Sequence, residues 1–193
     1  LVGKKAMLMN LTEDADLLAM FLKEGISLSQ VHIVPSSYKL NDLISGKVDA
    51  FNSYRTNEPY FLKQRNVPFN TIDPGDYGVD FYSDILFTSE AELNSNPERV
   101  EAVRRATLKG WHYAMAHPDE IIDLLISKYK VEKTREHLVF EAAEMQKLIL
   151  PDLVEIGHMN PGRWQHMADV FVKAGLVKPN YSLDGFIYDG GGK

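Results

Sequence analysis

The chain has 193 residues, no cysteine and a formal net charge of −6. The missing thiols exclude disulfides, thiolate nucleophiles and cysteine-held zinc or iron–sulfur centres, and an acidic balance without a dense Lys/Arg cluster argues against DNA or RNA as a partner. Apolar runs fall well short of the roughly 20 residues of a membrane span, while the length allows one large domain or two small lobes with an ample core.

The predicted elements begin with a short apolar strand at Lys5 to Met9. A helix follows from Leu11 to Lys23, with Leu17, Leu18, Phe21 and Leu22 on one stripe and Gly25 as its stop. Val31 to Pro35 is the second strand. Ser36 or Ser37 is placed to cap a second helix, Tyr38 to Ser45, which buries Leu40, Leu43 and Ile44 and stops at Gly46. "VDAFNSY", Val48 to Tyr54, is the third strand. Strand, helix, strand, helix, strand at this spacing predicts an α/β fold with a parallel sheet.

The texture then changes. "NVPFNTIDPGDYGVDFYSDILFTSE" carries two prolines and two glycines among aromatic residues. "DPGD" is a turn signal and "DILFTS" reads as one more strand. From Asn96 the chain is mostly helical. Asn96-Pro97, His117-Pro118 and Asn160-Pro161 each place proline at a first helical position. Trp164, Met167, Ala168 and Phe171 share one face of the last of these helices, before Gly175. A further helix covers Thr134 to Leu150, with Leu138, Ala142, Met145 and Ile149 on its stripe. The tail "SLDGFIYDGGGK" is an apolar strap ending in a linker-like run. The expected division is residues 1–60 as a βαβαβ lobe, 61–95 as a crossover and hinge, and 96–193 as a helix-rich part.

Ligands of an open parallel sheet sit beyond the carboxyl ends of its strands. Three polar clusters fall there: Asn10, Thr12, Glu13 and Asp14; Ser36, Ser37 and Tyr38; and Asn52, Tyr54, Asn57 and Glu58. Each has an ordinary alternative. Asn10 with Glu13 is a capping-box variant, the serines are N-caps, and the third cluster is a solvated turn. The carboxylates of Glu13, Asp14 and Asp16 would repel an oxyanion, which favours a neutral or cationic ligand. Two amides, an aromatic face and a carboxylate are the means by which a pocket orients a small polar molecule. Tyr77, Phe81 and Tyr82 offer stacking surfaces or core.

Catalysis has little support. The six histidines, at 32, 112, 117, 137, 158 and 166, show no metal-ligand spacing and are expected as a cap at His117 and otherwise as surface or partly packed residues. No nucleophile elbow or P-loop occurs, and no cofactor is implied. The chain is read as a non-enzyme.

"LVGKKAMLMN" with its acidic helix, "SGKVDAFNSYRTNEPY", "DYGVDFYSDILFTS", "NPERVEAVRRATLKGWHYAMAHPDE" and "HMNPGRWQHMADVFVKAGLV" together resemble the NMT1/THI5-like solute-binding domains. These are relatives of periplasmic proteins that bind thiamine-pyrimidine precursors, taurine or alkanesulfonates. "DYGVDFYSD" and "MNPGRWQHMAD" look most like the version fused ahead of membrane-bound histidine kinases and diguanylate cyclases.

The resemblance implies a type II periplasmic-binding-protein fold, two α/β lobes closing on a ligand. It further implies that the family's N-terminal strand-rich segment is absent here. "LVGKK" then corresponds to the entry into the second lobe, half the cleft is missing, and an exposed sheet edge leaves room for a homodimer; the abrupt opening without an initiator Met is read separately as a piece cut from a longer precursor. By position, Asn10 and Thr12 match a ligand-facing loop, and Asn52 to Glu58 a segment of polar contacts. The expected function is a periplasmic sensor domain for a small molecule, partnered by a membrane-anchored signalling protein. A free solute-binding protein serving an ABC permease is the alternative, and a pyrimidine-synthesis enzyme on the same fold stands third.

Overall fold

In the computed structural model, which describes residues 1–10, 13–188 and 190, strands β1 (Lys5–Leu8), β2 (His32–Pro35) and β3 (Ala50–Phe51) form a parallel sheet of order β2-β1-β3. Lys5 to Leu8 pair in register with His32 to Pro35, and Ala6 and Met7 pair with Ala50 and Phe51. The central strand carries Ala6, Met7 and Leu8, all buried, as suits a strand paired on both edges. Proline ends β2 on the sheet's edge, where its missing N–H costs no ladder bond. The third strand is shorter than the sequence predicts. Even so, backbone bonds from Asp49 N–H to the Lys5 carbonyl and from Asn52 N–H to the Met7 carbonyl extend its pairing at both ends.

Helix α1 (Ala15–Lys23) follows β1. It buries Ala15, Leu18, Ala19, Met20 and Phe21, while Leu22, predicted on the stripe, is exposed. The buried face is wider than one stripe because α1 is covered by more than the sheet: Val79 and Phe81 pack against it, as does Val170. Gly25, at φ 68°, closes the helix with its N–H donated to the Leu22 carbonyl and that of Ile26 to the Phe21 carbonyl, a Schellman stop.

The second predicted helix shrinks to α2 (Asn41–Ile44). Tyr38, expected inside it, has φ 57° and lies exposed in the loop. The serines do not cap α2. Tyr38 N–H donates to Ser36 Oγ and Lys39 N–H to Ser37 Oγ, both at 3.2 Å, and such local turns compete with helix. Leu40, Leu43 and Ile44 are half-buried rather than buried.

Helix α3 (Glu58–Gln64) follows β3, with Pro59 in its first turn. The segment "DILFTS" forms no strand: no backbone ladder among the described residues engages it, and Ile85, Leu86 and Phe87 are exposed. Strand-forming side chains without a pairing partner do not make a strand. Then come α4 (Glu90–Ser95), α5 (Pro97–Ala116), α6 (Pro118–Ser127), α7 (Arg135–Ile149) and α8 (Pro161–Lys173). The three Asn/His-Pro helix starts hold. Only Asn160 caps by side chain, accepting the Gly162 and Arg163 N–H groups.

The chain divides into two compact units. The first comprises Leu1–Tyr54, Phe61–Ser83 and Asn160–Ile187; the second comprises Arg55–Tyr60, Asp84–Met159 and the described residues from Tyr188 on. The first holds the sheet and a core of Leu8, Ala19, Met20, Phe21 and Val79. The second is helical. Thr134 caps α7 by accepting the His137 N–H, and α7 lies along α6.

Candidate functional site

The sheet's carboxyl edge is organised by Asp14. The chain leaves β1, turns, and starts α1 with Asp14 at the N-cap, 1% exposed. Its Oδ2 accepts the backbone N–H groups of Met9 at 2.5 Å and Asn10 at 3.0 Å. Its Oδ1 accepts from the side-chain amide of Asn52, at the end of β3. Burial pushes this carboxyl above the usual aspartate range. The Met9 and Asn10 N–H groups oppose that shift, and the nearby Asp16 and Glu13 add to it. One buried side chain therefore fastens the loop after β1 to the loop after β3.

Asn10 has a local duty, its Oδ1 accepting the Glu13 N–H at 3.0 Å. That is half of the capping box expected there. Glu13 itself is exposed, and Thr12 lies outside the described residues. Ser36 and Ser37 stand at the end of β2. Ser37 Oγ donates to Asp42 at 2.7 Å, and its N–H approaches the Met7 sulfur at 3.4 Å. Within the first unit the structure thus ties Asn10 and Asn52 to one hub and turns the serines to local bonding.

Tyr54, 71% exposed, is the last residue of the first unit before the chain enters the second. There Asn57 Nδ2 donates to Glu58 Oε1 at 2.8 Å, both residues half-buried. The segment Arg55–Tyr60 is pinned to α7 at two points. Arg55 lies 3.5 Å from the buried Glu144, and Tyr60 stacks parallel on His137 with centroids 4.4 Å apart. His137, expected at the surface or partly packed, is 2% exposed. Burial first, then the charge of Lys133, hold its imidazole below the usual histidine range, while Glu141 and Glu58 pull the other way.

Tyr82 is engaged within the first unit. Its hydroxyl accepts the Asn160 N–H at 2.7 Å, Arg163 lies over the ring at 4.6 Å, and Trp164 packs at 5.0 Å. Arg163 also pairs with Asp80 at 2.6 Å. Phe81 meets Phe171 edge-on in the same unit. Tyr77, half-exposed, lines a small apolar hollow of about 70 Å³ with Leu1, Met20, Phe21, Glu24, Ile26 and Ile72. The organising roles of Asp14, His137 and Glu144 escaped the sequence reading. Only Asp14 left a signal, a carboxylate four residues after the strand-end amide Asn10.

A profile described as "NMT1/THI5 like" matches residues 1–121. The chain is 29% identical over 134 residues to the formylaminopyrimidine-binding protein of Halalkalibacterium halodurans, covering 68% of this chain and 40% of that protein. It is 30% identical over 109 residues to the riboflavin-binding protein RibY of Chloroflexus aurantiacus, covering 56% of this chain and 31% of that one. The chain spans less than half the length of these curated relatives. No helix among the described residues is long and apolar enough to cross a membrane. The matched profile covers well over half of the sequence, so the chain belongs to the NMT1/THI5-like family, with that family's type II periplasmic-binding fold.

Proposed function

We propose that the chain is an extracytoplasmic, periplasmic small-molecule-binding domain without catalytic activity of its own. Its ligand is a neutral or cationic nitrogen heterocycle of the thiamine-pyrimidine kind. The observation that carries this reading is the carboxyl edge of the sheet, where Asn10 and Asn52 are fastened about a buried aspartate among further carboxylates. Such a site offers amide contacts and a negative field, which suit an N–H-bearing ring and repel sulfonate or nitrate. Of the two relatives named above, both bind nitrogen heterocycles, as their names state. Thr12, Glu13, Ser36, Tyr54 and Tyr82 are proposed as further contacts of the first unit, and Asn57 and Glu58 as contacts that the second unit offers by itself.

In the first reading the domain is a sensor that reports ligand to a membrane-anchored signalling protein, by a conformational equilibrium that ligand biases only as far as it prefers one state. The second reading is a free solute-binding protein that delivers cargo to an ABC permease. The test is a thermal-shift panel of an aminopyrimidine, riboflavin, taurine, an alkanesulfonate and nitrate. A ligand present at 100 times its Kd stabilises the folded state by about 2.7 kcal/mol, a readily measured rise in Tm. A rise with the heterocycles alone is the expected result; a rise with sulfonate or nitrate alone overturns the ligand class.

A further inference from the structure

Asn52 is held at two points. Its backbone N–H donates to the Met7 carbonyl at 3.0 Å, and its side-chain amide nitrogen donates to Asp14 Oδ1. An ionised carboxylate can only accept hydrogen bonds, so the end of Asn52 that faces it has to be the NH2 group. The amide carbonyl oxygen is then left on the other side of a residue that is solvent-exposed. A free asparagine presents either end to a ligand, whereas this one presents an acceptor.

We propose that Asp14 is a positioning residue that sets the specificity of the site: by fixing the Asn52 amide with its oxygen outward, it selects ligands that bring an N–H donor, such as an exocyclic amino group on a pyrimidine ring, and rejects ligands that bring only acceptors there. This rests on the functional reading above and sharpens it, since it assigns one polarity to one contact.

The hub also shows how the selection is reversed. Oδ2 of Asp14 already accepts two backbone N–H groups, from Met9 and Asn10. A proton added to the carboxyl therefore goes to Oδ1, the atom that faces Asn52, and turns that acceptor into a donor. Asn52 then rotates its amide to accept from it and shows its NH2 group outward. The charged groups acting on Asp14 are Glu13 and Asp16, both acidic, and its remaining partners are the neutral N–H groups of Met9, Asn10 and Asn52.

The experiment uses 4-aminopyrimidine and 4-methoxypyrimidine, which share the ring nitrogens and differ in donor against acceptor. The wild-type chain is expected to prefer the amino compound by about tenfold or more by calorimetry, the scale of one unmade hydrogen bond in a site. D14N keeps the side chain's shape. The new amide turns its oxygen to Met9 and Asn10 and its NH2 to Asn52, so the preference is expected to fall to parity or reverse while Tm stays near that of wild type. A folded D14N variant with the wild-type preference overturns the inference and leaves the functional reading intact.

A second measurement needs neither a variant nor a ligand. The side-chain NH2 signals of Asn52 in 15N-edited NMR spectra are expected to titrate together with the backbone amides of Met9 and Asn10. An Asn52 side chain indifferent to that titration overturns the inference. If neither pyrimidine binds the wild-type chain while Asn52 follows the titration, the functional reading fails and the orienting role of Asp14 stands.

Discussion

The two units solve stability differently. The sheet-bearing unit closes over Met7, Phe21, Val79 and Trp164, with Asp14 as its buried charged residue. Among the described residues of the helical unit the buried apolar side chains are Ile122 and Leu138, and the buried polar ones are His137 and Glu144. Each fully buried aliphatic or aromatic side chain contributes roughly 1.5–3 kcal/mol, so the first unit rests mainly on burial. The second leans on the Arg55–Glu144–Lys147 charges and the Tyr60–His137 stack, interactions that depend on pH and salt. The two tryptophans fall one to each unit, Trp164 buried in the first and Trp111 partly exposed in the second. Single-tryptophan variants therefore report on each unit alone.

The largest expected effect is on the apolar core. Phe21→Ala is predicted to cost about 3–5 kcal/mol, the range for emptying a buried aromatic site, and urea melts followed through Trp164 measure it. A loss below 1 kcal/mol, by the same scale, would mean that burial is not what holds this unit. Next comes Glu58, a proposed ligand contact. Glu58→Gln is predicted to weaken an N–H-bearing or cationic heterocycle by about 1.5–3 kcal/mol, as for hydrogen bonds to a charged group. Unchanged affinity by calorimetry removes Glu58 from the site.

Glu144→Gln tests the polar support of the second unit. Glu144 is buried while Arg55 and Lys147 reach solvent, so the cost is about 1–3 kcal/mol and not the larger figure for a fully sequestered pair. Trp111 emission should record the loss and Trp164 emission should not; equal shifts in both would merge the two units energetically. Gly25→Ala isolates a backbone effect. No atom crowds the added Cβ, but φ is 68°, and an L-residue there costs about 1–2 kcal/mol. Retention of wild-type Tm in that variant would mean that the Schellman stop rearranges freely.

The smallest effects are those of mild acid, and they carry opposite signs in the two units. His137 titrates below its unfolded value, so the folded chain declines a proton that the unfolded chain accepts below about pH 6.5. Its contribution is complete above that pH and is lost as pH falls. Asp14 titrates above its unfolded value of 3.8. Its burial costs stability once it ionises, and acid relieves that cost. Lowering the pH from 7 to 5 should thus weaken the unit reported by Trp111 before the one reported by Trp164. Identical midpoints at every pH would break the comparison.

Much of this chain was legible locally. Ala6 to Leu8 could only be a buried strand, Gly25 and Gly175 mark Schellman stops at φ 68° and 73°, and Asn160-Pro161 starts a helix by its own side chain. These features depend on neighbours within a turn or two, so composition and spacing reveal them. Ser36 and Tyr38 show the limit even at short range, where a hydroxyl that can cap a helix instead closed a turn. For the candidate site, the sequence announced the strand-end amides Asn10 and Asn52. It placed Asp14 in the first cluster but did not announce that this carboxylate joins them, because Asp14 looked like any acid at a helix start.

The sequence by itself determined the strand–helix alternation of the first sixty residues, the parallel sheet it makes and the family to which the chain belongs, but not the lengths of the second helix and third strand. Only the tertiary structure decided that Ile85 to Phe87 form no strand, that His137 lies buried under Tyr60, and that Asp14 meets an amide 38 positions away. The reason is one of range. Propensity, capping and turn chemistry are settled by adjacent residues, whereas desolvation and hydrogen-bond partnership belong to whatever the folded chain brings alongside.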